Sequence, residues 1–81
     1  MKIKLEKIDY GRNQQKFYNI SIDQTRLDNQ RSVFRLNAEY GRLYTMGKKI
    51  EKLTTQNYMY CKDEFDRLLA EKLRKGYEIV D

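Results

Sequence analysis

Histidine and proline are absent from this 81-residue chain, cysteine occurs once and glycine four times. Each shortage excludes something. Without histidine, and with no reactive serine or cysteine constellation, no glycine-rich phosphate loop and no metal-ligand spacing, the ordinary acid-base and nucleophilic machinery is missing. No enzyme, cofactor or metal site is expected. The carboxylates that crowd together in Asp63, Glu64 and Asp66 are accounted for by a helix start, where the dipole favours negative charge. Cys61 has no partner in the chain, which rules out a disulfide framework, leaves burial alone to drive folding and suits a reducing compartment. There is no 18-residue apolar run, and the basic start Met1-Lys2-Ile3-Lys4 leads into alternating residues rather than an apolar signal core. Neither a membrane span nor a secretory leader is expected, and the cytoplasm is the expected address.

With 40% hydrophobic and 36% charged residues, the composition is that of a compact folded unit rather than a linker or tail. The length suits a single domain over residues 1–81 with a small core, since a domain of this size buries only about 60% of the surface its unfolded chain exposes. The formal charge of +5 and pI near 9.4 favour an acidic partner such as nucleic acid or an anionic surface. The same charge also serves the solubility of a small bacterial-type domain.

Polar and apolar residues alternate from Lys2 to Leu5 and again from Phe17 to Asp23, where Tyr18, Ile20 and Ile22 share one side, so two strands are indicated. Gly11 to Gln14 between them reads as a hairpin turn. Asp23 to Arg31 is polar, carries Asp28-Asn29 and reads as a longer connection. Ser32 to Tyr40 is the clearest strand, with Phe34, Leu36, Ala38 and Tyr40 in phase. Met46-Gly47 makes a second turn, and a fourth strand runs from Lys48 to about Thr55. The period changes after Asn57, a good helix N-cap. Cys61, Phe65, Leu68, Leu69 and Leu73 then form a narrow apolar stripe, with Phe65 and Leu69 expected to be fully buried. Gly76 stops the helix, and Tyr77 to Val80 returns to the sheet. The expected fold is α+β, a small antiparallel sheet of four to five strands packed against one helix in the C-terminal half.

Tyr40-Gly41-Arg42 places a flat ring and a guanidinium two positions apart, with a glycine between them that permits a bulge or a close approach of another surface. The motif and its continuation, Tyr40-Gly41-Arg42-Leu43-Tyr44-Thr45-Met46-Gly47, are preceded by Lys16-Phe17-Tyr18 and answered by Cys61, Phe65, Leu68, Lys72, Gly76 and Tyr77. In order and spacing these residues resemble the WGR domain family over nearly the whole chain, with its pattern Trp-Gly-Arg-Ile-Gly-Thr-x-Gly. Two departures stand out: tyrosine replaces the signature tryptophan at position 40 and the following glycine at position 44. The resemblance implies a small sheet on one helix and nucleic-acid binding, with the motif aromatic stacking near a DNA end and the arginine in contacts between domains.

Tyr40 shares the phase of core residues, so its ring reads equally as core rim or as a stacking face. Arg42 suits a phosphate, a base stack or a carboxylate, with Glu39 or Glu51 as partners inside the chain. Lys48, Lys49 and Lys52, with Arg35 from the adjacent strand, form a candidate basic strip beside the ring, the general arrangement for gripping single strands and strand ends. A solvated face of edge lysines is the plainer account of the same residues. The leading expectation is therefore a non-catalytic nucleic-acid-binding module of low sequence specificity, for DNA in preference to RNA, with ends and single-stranded regions as candidate forms. Its site would be Tyr40, Arg42, Arg35, Lys48, Lys49 and Lys52. The alternative is a protein-interaction or dimerisation module using that surface or an aromatic patch of Tyr44, Tyr58 and Tyr60.

Overall fold

A computed structural model describes residues 1–27 and 31–80. The chain runs β1 (Lys2–Asp9), β2 (Gln14–Arg26), β3 (Ser32–Arg42), β4 (Lys48–Thr55), α1 (Tyr58–Arg74) and β5 (Glu78–Ile79). The strands form one antiparallel sheet in the order β4-β3-β2-β1-β5. The helix leaves one edge of the sheet and the chain rejoins at the other, so α1 covers a single face. On that face Leu5, Ile20, Ala38, Cys61 and Phe65 are at most 2% exposed and form the centre of the core. The opposite face is mainly polar, with Asn19, Ser21, Asn37 and Glu39, and carries Phe17 and the buried Val33 as apolar exceptions.

The β1–β2 turn is a short 3-10 segment, Tyr10–Arg12, in which the Asp9 carboxylate accepts from the Arg12 amide and Asn13, not Gly11, takes the left-handed conformation at φ 53°. Asparagine tolerates that region better than most residues. β2 also runs further than its hydrophobic pattern implies: Asp23 to Arg26 pair with β3 instead of forming a loop. Lateral polar contacts hold this stretch, with Asn37 donating to Asp23 at 2.7 Å, Arg35 to Thr25 at 2.7 Å and Gln24 to Ser32 at 3.0 Å. Asp28-Asn29, expected in that connection, lie outside the described residues.

Gly41 does not bulge. It stays in register opposite Phe17, and the irregularity in the β3–β4 ladder falls instead between Leu36 and Asn37, where Glu51 and Leu53 take successive partners and Lys52 is the extra residue. The glycine is needed for another reason. A Cβ at Gly41 would stand 2.8 Å from the Gly47 Cα, and one at Gly47, which has φ +69°, would stand 2.5 Å from both the Phe17 ring and the Tyr40 carbonyl oxygen. Two backbones and a ring thus close against each other, which only glycine pairs allow.

Asn57 caps α1 by accepting from the Tyr60 amide at 3.1 Å. At the other end the Gly76 amide donates to the Leu73 carbonyl and the Tyr77 amide to the Lys72 carbonyl, each at 3.1 Å, with Gly76 at φ +97°. This Schellman closure turns the chain back so that Tyr77 meets the sheet. The expected apolar stripe is only partly realised. Cys61 and Phe65 are fully buried, Leu68 and Leu69 are half-buried, and Leu73 is 42% exposed. Seven residues after Phe65 the inward direction belongs to Lys72, while Leu73 is rotated about 80° away. No helix among the described residues is long and apolar enough to cross a membrane.

Candidate nucleic-acid interface

Strand alternation places Tyr40 and Arg42 on the same side of β3, the side that carries the helix. Tyr40 lies directly across from Tyr18 of β2, and the two rings stack with centroids 5.6 Å apart and planes 16° apart. Tyr77, delivered by the turn after α1, meets Tyr18 edge-on at 6.1 Å. Above Tyr18 the Lys72 ammonium sits 4.3 Å from the ring centroid, a cation–π contact. Tyr18 is buried and Tyr40 half-buried. The ring at position 40 is thus both core rim and wall.

These side chains line an open groove of about 520 Å³ between the end of the sheet and the last turns of α1. Lys16, Arg42, Lys52 and Lys72 bring positive charge to it. Lys16 pairs with Arg42 across the ladder, and the bulge in β4 is what puts Lys52 on the helix side next to Leu53. Gln14 adds a buried side-chain oxygen with no hydrogen-bond partner among the described residues.

Burial pushes the Lys72 ammonium below the ordinary lysine value, helped by Lys75 and Lys52 and opposed by Glu71. Its side chain is only 15% exposed. Burial likewise raises the Tyr18 phenol, as do the Glu71 charge and the neighbouring tyrosines, so that ring stays protonated and neutral. Burial also raises Tyr77 and the Cys61 thiol. Cys61, 0% exposed on the helix's inner face, is a packing residue.

The expected basic strip is divided by the sheet. Lys48 lies across from Tyr40 on the helix side and Lys52 lines the groove, whereas Arg35 and Lys49 project from the opposite face. The two on the far face are compensated, Arg35 by Glu51 at 3.4 Å and Lys49 by Glu39 at 3.6 Å. Among the described residues Lys16, Arg42, Lys48 and Lys52 form no ion pair. Tyr44 and the pair Tyr58 and Tyr60 are not brought together. Tyr58 packs edge-on against Phe34 at 5.2 Å near the start of β3, while Tyr44 follows its end, roughly 25 Å away by strand rise.

Tyr18, Tyr77, Lys16 and Lys72 were not among the expected site residues. Their signal was present in the phase of Tyr18 with Ile20 and Ile22, and in the spacing of Lys72 from Phe65.

The family model of the WGR domain matches residues 1–81, the whole chain. The family is one of non-catalytic, nucleic-acid-binding-type modules. Neither the curated proteins nor the solved structures include a match to the chain.

Proposed function

The chain belongs to the WGR domain family, and on that premise we propose that it is a binding module that holds nucleic acid in the Tyr18–Tyr40–Tyr77 groove, with low sequence specificity and without a catalytic step. One observation supports this reading above the others: aromatic side chains converge in a single groove with Lys72, which pairs with Glu71 at 3.7 Å, and with Lys16, Arg42 and Lys52, which have no carboxylate partner among the described residues. The half-buried Tyr40 and Tyr77 rings, backed by the buried Tyr18, supply stacking surfaces that accept any base, at about 1–3 kcal/mol each, and the cations supply phosphate contacts. Neither element reads base identity, hence the low specificity. A half-buried ring can meet a base only where that base has a free face, so strand ends and single-stranded regions are the preferred forms. DNA is preferred to RNA, in keeping with the family resemblance, and the cytoplasm is the proposed location. Tyr40, Arg42, Lys48 and Lys52 keep their assigned part, joined by Lys16 and Lys72, while Arg35 and Lys49 contribute to the general positive field.

The test is a titration of single-stranded, blunt and nicked DNA, and of matching RNA, at several salt concentrations. If Lys16, Arg42, Lys52 and Lys72 neutralise phosphates, log affinity should fall against log salt with a slope of about −3. Failure of every form to bind at low salt rejects the proposal. An affinity for a protein partner that ignores salt would support the interaction-module alternative instead.

The position of Lys72 adds a pH dependence. Its ammonium loses the proton at lower pH than an ordinary lysine, so the contribution of Lys72 to affinity should be lost as pH rises through that lowered value. Lys72→Arg keeps its charge through that range. Its affinity should therefore hold at alkaline pH where the parent's declines. Superimposable pH profiles for the two proteins would show that Lys72 does not contact the ligand.

A further inference from the structure

The turn between β3 and β4 presents two large side chains almost wholly to solvent. Tyr44 is 96% exposed and Met46 92%, the highest values among the exposed large hydrophobic residues. Tyr44 also sits at φ +66°, a left-handed conformation that is uncommon for a bulky residue and that explains why the family pattern carries glycine there. A sequence that places an aromatic ring at a glycine position accepts backbone strain, and strain of this kind is retained where it serves a contact. No packing among the described residues accounts for it, since the ring is almost wholly in solvent.

The turn is nevertheless well fixed. The Leu43 amide donates to the Gln15 carbonyl at 2.9 Å, and the Thr45 hydroxyl donates to the Arg42 carbonyl at 2.7 Å. At its base Gly41 and Gly47 close on each other and on Phe17. Arg42 and Lys48 flank the turn in the chain, and Lys16 pairs with Arg42 beside it. An exposed ring and a thioether, held on a rigid tip among cations, match what is needed to wedge against a base while phosphates are held alongside.

Resting on the nucleic-acid reading above, we infer that Tyr44, supported by Met46, is a second base-contacting point, separate from the groove, which stacks on an unpaired or terminal base of the bound strand. Tyr40 precedes Arg42 and Tyr44 follows it in the chain, the groove on the helix side and the turn closing over the other side at Gly41 and Phe17, so a strand that engages both would round the end of the sheet at Arg42. Charge complementarity favours a nucleic acid over an apolar protein surface as the occupant: Lys16, Arg42 and Lys48 near the tip have no ion-pair partner among the described residues, whereas of the two carboxylates that share a hollow with Thr45 and Met46, Glu6 and Glu39, the second is already tied to Lys49.

The experiment compares the parent protein with Tyr44→Gly, Tyr44→Phe and Met46→Ser, measuring anisotropy of labelled single-stranded and blunt-ended DNA and the emission of 2-aminopurine placed at the strand terminus. Tyr44→Gly relieves the strain, so it should melt no lower than the parent, yet bind about tenfold more weakly with an unchanged salt slope and a diminished 2-aminopurine response. Tyr44→Phe keeps the ring and should bind like the parent. Met46→Ser should lose less than Tyr44→Gly. Parent-like affinity of Tyr44→Gly for every oligonucleotide overturns the inference and leaves the groove reading standing. So does a Tyr44→Gly effect confined to the oligomeric state, as seen by sedimentation, which would assign the tip to contact between copies. A parent protein that binds no nucleic acid overturns both readings.

Discussion

Phe65→Ala is expected to destabilise the chain by about 3 to 5 kcal/mol, a large share of the 5 to 15 kcal/mol typical of a whole folded protein. The reason lies in how little of α1 is buried. Among its seventeen residues only Cys61 and Phe65 are fully enclosed. Phe65, 2% exposed, is the larger of the two and belongs to the cluster formed by Leu5, Ile20, Leu36 and Ala38 from three strands. Truncating it removes most of the adhesion between helix and sheet and leaves a cavity that the stiff sheet cannot close. Leu73→Ala is the matched control, because that leucine, though in the apolar count of the helix, is 42% exposed; its cost should stay within about 0.5 kcal/mol. Denaturant melts of both variants measure the difference. Equal losses would mean that the helix is held by its last turn rather than by Phe65.

The contrast between Phe65 and Leu73 also shows what could be read from the chain beforehand. Strand phases were legible wherever apolar residues alternate, and Leu36, Ala38 and Tyr40 fall on the core side as the pattern requires. The polar continuation of β2 was not, because Asp23 to Arg26 carry no alternation and are held by cross-strand side-chain bonds that depend on the partner strand. On the helix, an apolar stripe overstates burial in the last turn: the helical period hands the inward position to Lys72, and a lysine can fill it because its stem packs while its ammonium sits over Tyr18. Local charge pairing was half legible too. Asp63 with Arg67 and Glu71 with Lys75 both have the acid-before-base spacing of four residues; the second pair joins at 3.2 Å, whereas Arg67 takes Glu64 at 2.8 Å. The groove could not be read from local pattern at all, since Tyr18, Tyr40, Lys72 and Tyr77 come from four elements or their flanks and meet only through register and the turn at Gly76.

The same distinction between neighbours in sequence and neighbours in space decides the second large expectation. Lys48 to Lys52 read as one basic run, but strand alternation and the β4 bulge distribute them over two faces, with Lys52 lining the same groove as Tyr40 and Lys49 tied to Glu39 on the other face. The double variant Arg42→Gln with Lys52→Gln removes two cations from the groove, and its affinity for DNA should drop about a hundredfold at about 0.1 M salt, with the salt slope reduced by about 1.5 to 2. Arg35→Gln with Lys49→Gln removes the same formal charge from the opposite face, where Glu51 and Glu39 already neutralise it. That variant should keep its slope and lose only a few-fold in affinity through the weakened overall field. All four positions are at the surface or partly so, and glutamine is compatible with strand edges, so both proteins should remain folded, which a thermal melt verifies. Equal losses in the two would make binding a matter of net charge alone. A greater loss in the Arg35 and Lys49 variant would move the interface to the polar face of the sheet and away from the tyrosine groove.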